Sequence, residues 1–241
     1  MYRMSSRVSY SMIDERGKLS IPSVVNFFQD CCLFHSNDVG LTIPVIQKRH
    51  KAWLISSWHV VFTRRPVMGE EINVLTWAYK FKTIYGRRNF VMETKNNETL
   101  AYADSHWFLF DSEIGRPIRP DEQEIRAFGI EEKYDMEYLP RRILLPDRES
   151  EVDQTTVFQN QLDTNHHMNN GEYVRIACRY LPDDYPVAEL RVEYKNAAHK
   201  GDKVTVYSAE TTTHFYIILR NEFGELCAVS EFKKGKNYES L

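Results

Sequence analysis

The segment Gln161-Leu-Asp-Thr-Asn-His-His-Met-Asn-Asn-Gly-Glu-Tyr-Val-Arg-Ile-Ala-Cys-Arg-Tyr180 determines how the whole chain is interpreted. Its first half is polar and typical of a turn. In its second half, apolar side chains recur at positions 173, 176, 177 and 180, which is the i, i+3, i+4, i+7 spacing of one helix face. Asn169 and Asn170 precede this face as N-cap candidates, and Pro182 follows it. The segment therefore predicts a polar loop that leads directly into the N-terminus of a helix.

Three side chains of this loop have complementary chemistry: Asp163, Asn165 and His167 occupy alternate positions. An imidazole has an ordinary pKa of about 6.5, so it takes or gives a proton near neutral pH. A nearby carboxylate orients the ring and favours its charged form, while an amide holds the ring or a water molecule without titrating. Backbone N–H groups of the following helix are suited to meet an oxyanion. The combination suits hydrolysis of an activated acyl group.

Two simpler interpretations stand beside this one. Polar residues before a helix usually serve as caps and turns, and Asn-rich turns are common. His166, His167 and Asp163 also suggest a metal site. However, adjacent histidines on an extended chain point to opposite sides, and no paired ligand motif occurs elsewhere in the sequence. We therefore expect neither a metal ion nor another cofactor.

The pattern Asp163-x-Asn165-x-His167-x-Asn169-Asn170 resembles the motif of the acyl-ACP thioesterases, the plant plastid enzymes and their bacterial relatives. The resemblance covers nearly the whole chain. It implies an α+β fold, a tandem (double) hotdog in which each half is a long helix wrapped by a curved antiparallel sheet. It also implies hydrolysis of the thioester of fatty acyl-acyl carrier protein, which releases free fatty acid and ends chain elongation. The implied catalytic residues are Asp163, Asn165 and His167.

Composition and charge fit such a protein. The 241 residues suffice for two domains of about 120 residues each, and the net charge of −3 gives no electrostatic case for nucleic acid. Cys31 and Cys32 are adjacent within a predicted helix, so with Cys178 and Cys227 they are interpreted as reduced thiols. We find no apolar run typical of a signal peptide or a membrane span, and no plastid transit peptide. We therefore expect a bacterial cytoplasmic protein without membrane insertion.

The two halves of the sequence repeat each other. Aligning Asp14 with Asp163 places Lys18 opposite His167, and the helices that follow then stay in step. An internal repeat of this kind predicts a tandem fold more strongly than a single motif does. Because the first copy lacks the imidazole, we expect catalytic residues in the second half only and an acyl-pocket role for the first half.

The coarse element pattern gives the domain bounds. We predict an N-terminal hotdog at 1–125, a proline-rich linker at 126–150 and a C-terminal catalytic hotdog at 151–241. Strands are predicted at 7–12, 53–62, 71–81, 86–94, 100–110, 155–162, 189–194, 203–212, 214–221 and 226–233. Helices are predicted at 20–40, 43–52, 121–128 and 170–180.

The sequence departs from the family pattern at one place. Relatives carry a catalytic glutamate where Ala197 stands, and plant members carry a cysteine where Ala198 stands. Glu193 lies on the same face of the predicted strand, but four residues along a strand span about 13 Å. It replaces the missing group only if the strand bends or ends early. Glu193 and Asn169 are therefore kept as accessory candidates, whereas His199 has no special claim from the sequence.

Two mechanisms are compatible with the family motif. In one, His167 assists a water molecule that attacks the thioester carbonyl. In the other, the carboxylate of Asp163 attacks and forms an acyl-anhydride intermediate. Asn165 positions His167 in either case.

The partner implied by the resemblance is acyl carrier protein, a small acidic protein that presents the fatty acyl chain on a phosphopantetheine arm. Basic residues should then face it. The candidates are Arg64, Arg65, Lys80, Lys82, Arg87, Arg88, Arg141, Arg142, Lys233, Lys234 and Lys236. Alternative functions are an acyl-CoA thioesterase, a hotdog enoyl-thioester hydratase, or a non-catalytic acyl-thioester-binding protein, the last favoured by Ala197. Association of two chains into a homodimer stays open.

Overall fold

The computed structural model describes residues 1–235, and their contacts divide them into two compact units. The first unit comprises residues 1–58 and 63–139. The second unit comprises residues 59–62 together with the chain from Pro140 onward. The unit boundary thus falls inside the predicted 126–150 linker, and residues 236–241 of the predicted C-terminal domain lie outside the description.

The first unit is an antiparallel sheet with one long helix. Strand order is β1-β3-β4-β5-β2, with the short β6 beside β5. The strands are β1 (Tyr2–Arg7), β2 (Lys51–Phe62), β3 (Glu71–Lys82), β4 (Tyr85–Thr94), β5 (Thr99–Asp111) and β6 (Arg116–Ile118). The helices are α1 (Ile21–Asp38), α2 (Ile43–Arg49) and α3 (Glu122–Phe128). β2 includes residues 59–62, which belong to the second unit.

Helix α1 forms where its capping signals predict it. The Ser20 side chain accepts a hydrogen bond from the Ser23 N–H group at the start, and Pro22 lies in the first turn, where its missing N–H is tolerated. The apolar face is buried, and Phe28 on that face packs against Phe90 with ring centroids 5.3 Å apart. Burial of a side chain of this size contributes about 1.5–3 kcal/mol. The helix is therefore fixed by its contact with the sheet.

The second unit repeats this plan with a shorter helix. Strand order is β8-β11-β10-β9-β7, and the pairs are antiparallel. Its elements are β7 (Ser150–Thr156), α4 (Asn170–Cys178), β8 (Val187–Tyr194), β9 (Lys203–Glu210), β10 (His214–Asn221) and β11 (Leu226–Lys234). Of the two repeat helices, α4 has nine residues and α1 has 18, so only α1 is long.

The strand predictions at 7–12 and 155–162 are wrong in the same way. In each copy the strand lies earlier, at Tyr2–Arg7 and Ser150–Thr156. A single turn of 3-10 helix follows, at Tyr10–Met12 and Gln159–Gln161. In the first copy the alternation continues through the turn to Met12, so the period-two pattern does not mark where that strand ends. In the second copy the turn consists of three consecutive polar residues, Gln159, Asn160 and Gln161, which already depart from a strand pattern.

A buried amide explains why the first half of the linker belongs to the first unit. Asn89 on β4 is fully buried. Its side chain donates to the Ala103 carbonyl at 3.1 Å and accepts from the Tyr134 N–H group at 3.0 Å and the Tyr138 hydroxyl at 2.9 Å. These bonds hold residues 130–138 against the sheet.

No helix within residues 1–235 combines the length and the apolar character needed to cross a bilayer.

Replacement of Asn89 by alanine should therefore destabilise the first unit. The change removes the partner of two half-buried donors and one buried carbonyl, and we expect the free energy of unfolding in urea to fall by about 3 kcal/mol. Asn96→Ala is the matched control, because Asn96 is exposed in the β4–β5 turn and should change stability by less than about 0.5 kcal/mol. Equal losses in the two variants would contradict the assigned role.

Candidate active site

The loop between the 3-10 turn and α4 is closed on itself. Leu162 and Met168 form an antiparallel bridge at its ends. Inside it, the Asp163 N–H group donates to the His167 carbonyl at 2.8 Å, and the His166 N–H group donates to the Asp163 carbonyl at 3.1 Å. His166 adopts φ of 62°, the left-handed region that few non-glycine residues occupy. The backbone of the predicted site is therefore tightly specified.

The carboxylate of Asp163 organises this loop. Its Oδ1 atom accepts hydrogen bonds from the N–H groups of Asn165 at 2.8 Å and His167 at 3.2 Å. The three residues proposed from the motif are thus brought together in one loop. Asp163 is hydrogen-bonded to the backbone N–H groups of the other two. The Asn165 side chain is exposed.

Helix α4 begins directly after the loop. Asn169 is the N-cap, and its Oδ1 atom accepts from the Gly171 N–H group at 2.9 Å. Tyr173, on the first turns of the helix, is buried, and its hydroxyl accepts from the Ala198 N–H group at 2.9 Å. The helix start is thereby joined to the turn that follows β8, so that the loop is held from both sides.

The turn after β8 forms the opposite wall of the site. The Met168 N–H group donates to the Ala198 carbonyl at 2.8 Å, and His167 pairs with His199 in an antiparallel bridge. The two imidazole rings lie 4.9 Å apart between centroids, at an interplanar angle of 84°. Sequence reasoning gave His199 no special role. The internal repeat contained a signal for it. Lys18 aligns with His167, and Val67, which pairs with Lys18 in the first copy, aligns with His199.

Burial lowers the pKa of His167, and the neighbouring charge of Asp163 opposes this, while His199 and His166 lower it further. The net shift is downward from the ordinary value. His167 is therefore neutral at pH 7 and able to accept a proton.

The first unit contains the same loop with different side chains. Asp14 accepts from the N–H groups of Arg16 and Lys18, both at 3.1 Å. Gly17 has φ of 71°, at the position where His166 has φ of 62°. Lys18 forms a bridge with Val67, just as His167 does with His199. The backbone frame of the site is therefore common to both copies.

The copies differ in what faces the free oxygen of the loop aspartate. In the first unit, Arg65 donates to Oδ2 of Asp14 at 2.5 Å and to the Leu19 carbonyl at 3.2 Å. Burial alone would raise the pKa of Asp14, but the hydrogen bond and charge of Arg65 lower it. Ala197 occupies the aligned position in the second unit. Within the described part of the chain, Oδ2 of Asp163 has no hydrogen-bond or ion-pair partner.

Glu193 is engaged away from the loop. Its buried carboxylate accepts from the Ile143 N–H group at 2.8 Å and lies 3.0 Å from the Lys195 ammonium. The first contact holds the chain after Pro140 against the second sheet. In the described residues, the side chain makes no contact with the 162–168 loop.

In residues 1–235, no three His, Cys, Asp or Glu side chains are grouped in a way that would hold a metal ion.

The first unit contains a small cavity with aromatic walls. Its lining residues are Cys32, Ser36, Trp53, Phe81, Gly86, Arg88, Trp107 and Phe128. A Cβ atom at Gly86 would lie 3.1 Å from Trp53 and 3.2 Å from Phe81, so the glycine keeps the space open. Arg88 is the charged residue of the lining, and it contacts His35 Nδ1 at 2.6 Å.

Comparison with known proteins gives consistent matches over both units. The family model for the acyl-ACP thioesterase N-terminal domain matches residues 1–127, and that for the acyl-ACP thioesterase C-terminal domain matches residues 145–231. A chloroplastic acyl-[acyl-carrier-protein] hydrolase from Cuphea viscosissima is 24% identical over 197 residues, which are 75% of this chain and 48% of the relative. The chain thus spans about half the length of that curated relative.

Solved structures show the same architecture. An acyl-ACP thioesterase from Bacteroides thetaiotaomicron matches with a TM-score of 0.87 and 19% identity, covering 97% of both chains. The 12:0-ACP thioesterase from Umbellularia californica matches with a TM-score of 0.81 and 21% identity, covering 96% of both chains. These matches confirm the predicted α+β tandem hotdog fold.

The role of Asp163 in the loop can be measured as stability. Asp163→Ala removes the acceptor of two backbone N–H groups, so we expect the free energy of unfolding to fall by about 1–2 kcal/mol. Asp163→Asn keeps an acceptor oxygen and should lose less than half of that. Thr164→Ala is the control, because Thr164 is exposed in the same loop. An alanine variant as stable as wild type in urea would refute the assigned role.

Proposed function

The chain belongs to the acyl-ACP thioesterase family, and we propose that it hydrolyses the thioester of fatty acyl-acyl carrier protein, releasing a free fatty acid and ending chain elongation. The observation that carries the proposal is the half-buried imidazole of His167, which the 162–168 loop holds beside the start of α4. Asp163, Asn165 and His167 are the proposed catalytic loop, with Asn169 as the N-cap that begins the helix.

In this mechanism, His167 takes a proton from a water molecule as the water oxygen attacks the thioester carbonyl. A thiol of pKa about 8.5 leaves more readily than an alkoxide, so a strong general acid is not required, and an imidazolium is acidic enough to protonate the departing sulfur. The amide of Asn165, two residues before His167, is exposed and available to position that water or the substrate. Asp163 keeps the loop backbone in place through its Oδ1 atom.

The alternative route, in which Asp163 attacks the carbonyl, is less favoured by the hydrogen bonds on that side chain. Two N–H groups donate to Oδ1 and stabilise the negative charge of the carboxylate. A carboxylate stabilised in this way is a poorer nucleophile. The water route therefore fits the geometry better.

We further propose that the small aromatic cavity of the first unit is where the acyl chain enters. Its walls are Trp53, Phe81, Trp107 and Phe128, and such walls bind hydrocarbon by excluding water from it. The division into an acyl-pocket half and a catalytic half stays a prediction.

Acyl carrier protein is the proposed partner, and the structure narrows the basic residues available to it. Several candidates form ion pairs within the chain: Arg64 with Glu70 and Glu98, Arg65 with Asp14, Arg87 with Asp104, and Lys233 with Glu189. Four of the other candidates are exposed, and none of them forms an ion pair with another described residue: Lys80 and Lys82 on β3, Arg142 and Lys234. Lys236 lies beyond residue 235. An acidic carrier protein would find unpaired positive charge at those four exposed residues.

A thiol-release assay tests the activity. Wild type should release thiol from fatty acyl-acyl carrier protein, and His167→Ala should lower kcat/KM by about 10²–10⁴-fold because the proton acceptor is lost. His214→Ala, a histidine change on β10, is the control and should retain activity. Acyl-CoA and enoyl thioester substrates separate the alternatives, since a hydratase yields hydroxyacyl product and no thiol. Binding of acyl substrate without turnover would favour a non-catalytic protein.

Filling the aromatic cavity should change chain-length preference. Gly86→Val places methyl groups against Trp53 and Phe81, so we expect kcat/KM for the longest substrates to fall about tenfold relative to the shortest. Ser36→Ala removes an atom from the same lining and should not lower activity on long chains. Thermal melting checks that both variants fold. A uniform loss across all chain lengths would argue against an acyl-binding cavity here.

A further inference from the structure

We propose that His199, held by Asp202, is the second proton-transfer group of this site and acts on the leaving thiolate where Ala197 supplies no carboxylate. This inference rests on the proposed hydrolysis. It assigns a chemical role to the turn after β8, which the catalytic motif of the loop does not include.

The two histidine side chains lie close together. His167 and His199 are paired residues of an antiparallel bridge, and side chains of paired residues lie on the same face at close distance. The rings meet edge to face with centroids 4.9 Å apart. His199 is 57% exposed at its side chain, so it faces solvent while His167 is half-buried. A substrate that reaches one ring from solvent therefore meets the other.

Asp202 makes two contacts with His199. The Oδ2 atom of Asp202 accepts from the His199 N–H group at 2.8 Å and lies 3.6 Å from its Nδ1 atom. The first contact fixes the turn, and the second places a negative charge beside the ring. A carboxylate at this distance attracts the protonated form of an imidazole.

The first copy of the repeat shows which of these features are purely structural. There, Glu70 accepts from the Val67 N–H group at 3.0 Å, so a carboxylate caps this turn in both copies. The cap alone therefore carries no chemistry. The ring is present only in the second copy, at the position aligned with Val67, and the loop residue opposite it changes from Lys18 to His167. Both members of the bridge are histidine only where the site is proposed.

Three other titratable groups surround the two rings. The titratable groups around the two rings are Asp163 and His166 on the loop and Asp202 on the turn. A proton on one imidazole disfavours a proton on the other, because like charges in contact repel. Burial favours the neutral form of His167 and His199 is exposed beside Asp202, so we assign the base to His167 and the proton donor to His199. One ring is thus a base while the other is an acid.

The reaction balances with these two groups. The water oxygen bonds to the carbonyl carbon as His167 takes one water proton. The carbon–sulfur bond then breaks, and the sulfur takes the proton of His199. Transfer of a proton from His167 to His199, directly or through solvent, restores the starting state. The net reaction converts a thioester and water into a carboxylic acid and a thiol.

The test combines proton NMR titration with kinetics on the full chain. In His199→Gln, the charge beside His167 is gone, so the pKa of His167 should rise. The kcat for fatty acyl-acyl carrier protein should fall about 100-fold, and the alkaline limb of the pH–rate profile that reports the acid should disappear. Asp202→Asn should shift that limb to lower pH, because the protonated ring loses its carboxylate. Lys200→Gln, an exposed neighbour, should behave as wild type.

Two outcomes overturn the proposal in different ways. If wild type hydrolyses the substrate and His199→Gln keeps the same pH–rate profile and the same His167 titration, His199 has no proton-transfer role and the hydrolase function stands. If wild type releases no thiol at all, the hydrolase function itself fails and the proton-transfer role fails with it.

Discussion

The hydrogen bonds from two backbone N–H groups to one oxygen of Asp163 are the constraint on which the site depends. They close a loop that the sequence would otherwise leave as a flexible polar segment, and they fix the direction in which His167 leaves the backbone. The same bonds, donated to Asp14 by the N–H groups of Arg16 and Lys18, close the corresponding loop of the first unit, where no imidazole is present. The constraint is therefore a property of the repeat, and only the second copy adds an imidazole to it.

Much of the fold could be read from the sequence because it follows from local rules. The N-caps at Ser20 and Asn169 and the C-terminal Gly129 of α3 mark helix ends through hydrogen bonds with neighbouring residues. Strand ends were harder to locate in β1 and β7. In the first copy the side-chain alternation runs on through the 3-10 turn, and in both copies the pairing with β3 or β9 shows where the strand stops.

The site was predictable only as far as it is contiguous. Asp163, Asn165 and His167 lie within five residues, so their proximity follows from the sequence. His199 is brought to them by a bridge between distant segments, and a pattern search within one segment could not find it. The same limit applies to charge. Arg65 was a candidate for an external partner, yet its guanidinium is used by Asp14, which is 51 positions away.

The two copies of the loop differ in what lies beside the aspartate. In the first, Arg65 neutralises the free oxygen of Asp14, and that ion pair stabilises the loop at the expense of access to it. In the second, Ala197 leaves the equivalent oxygen of Asp163 without such a partner. The Asp163 carboxylate keeps its two N–H donors but lacks a guanidinium such as the one beside Asp14, so the second loop is less stabilised than the first. Functional sites commonly retain such unfavourable arrangements while the surrounding fold supplies the stability. Ala197 in place of Arg65, together with the two histidines, thus distinguishes the candidate site from the loop of the first unit, since the backbone around both is the same.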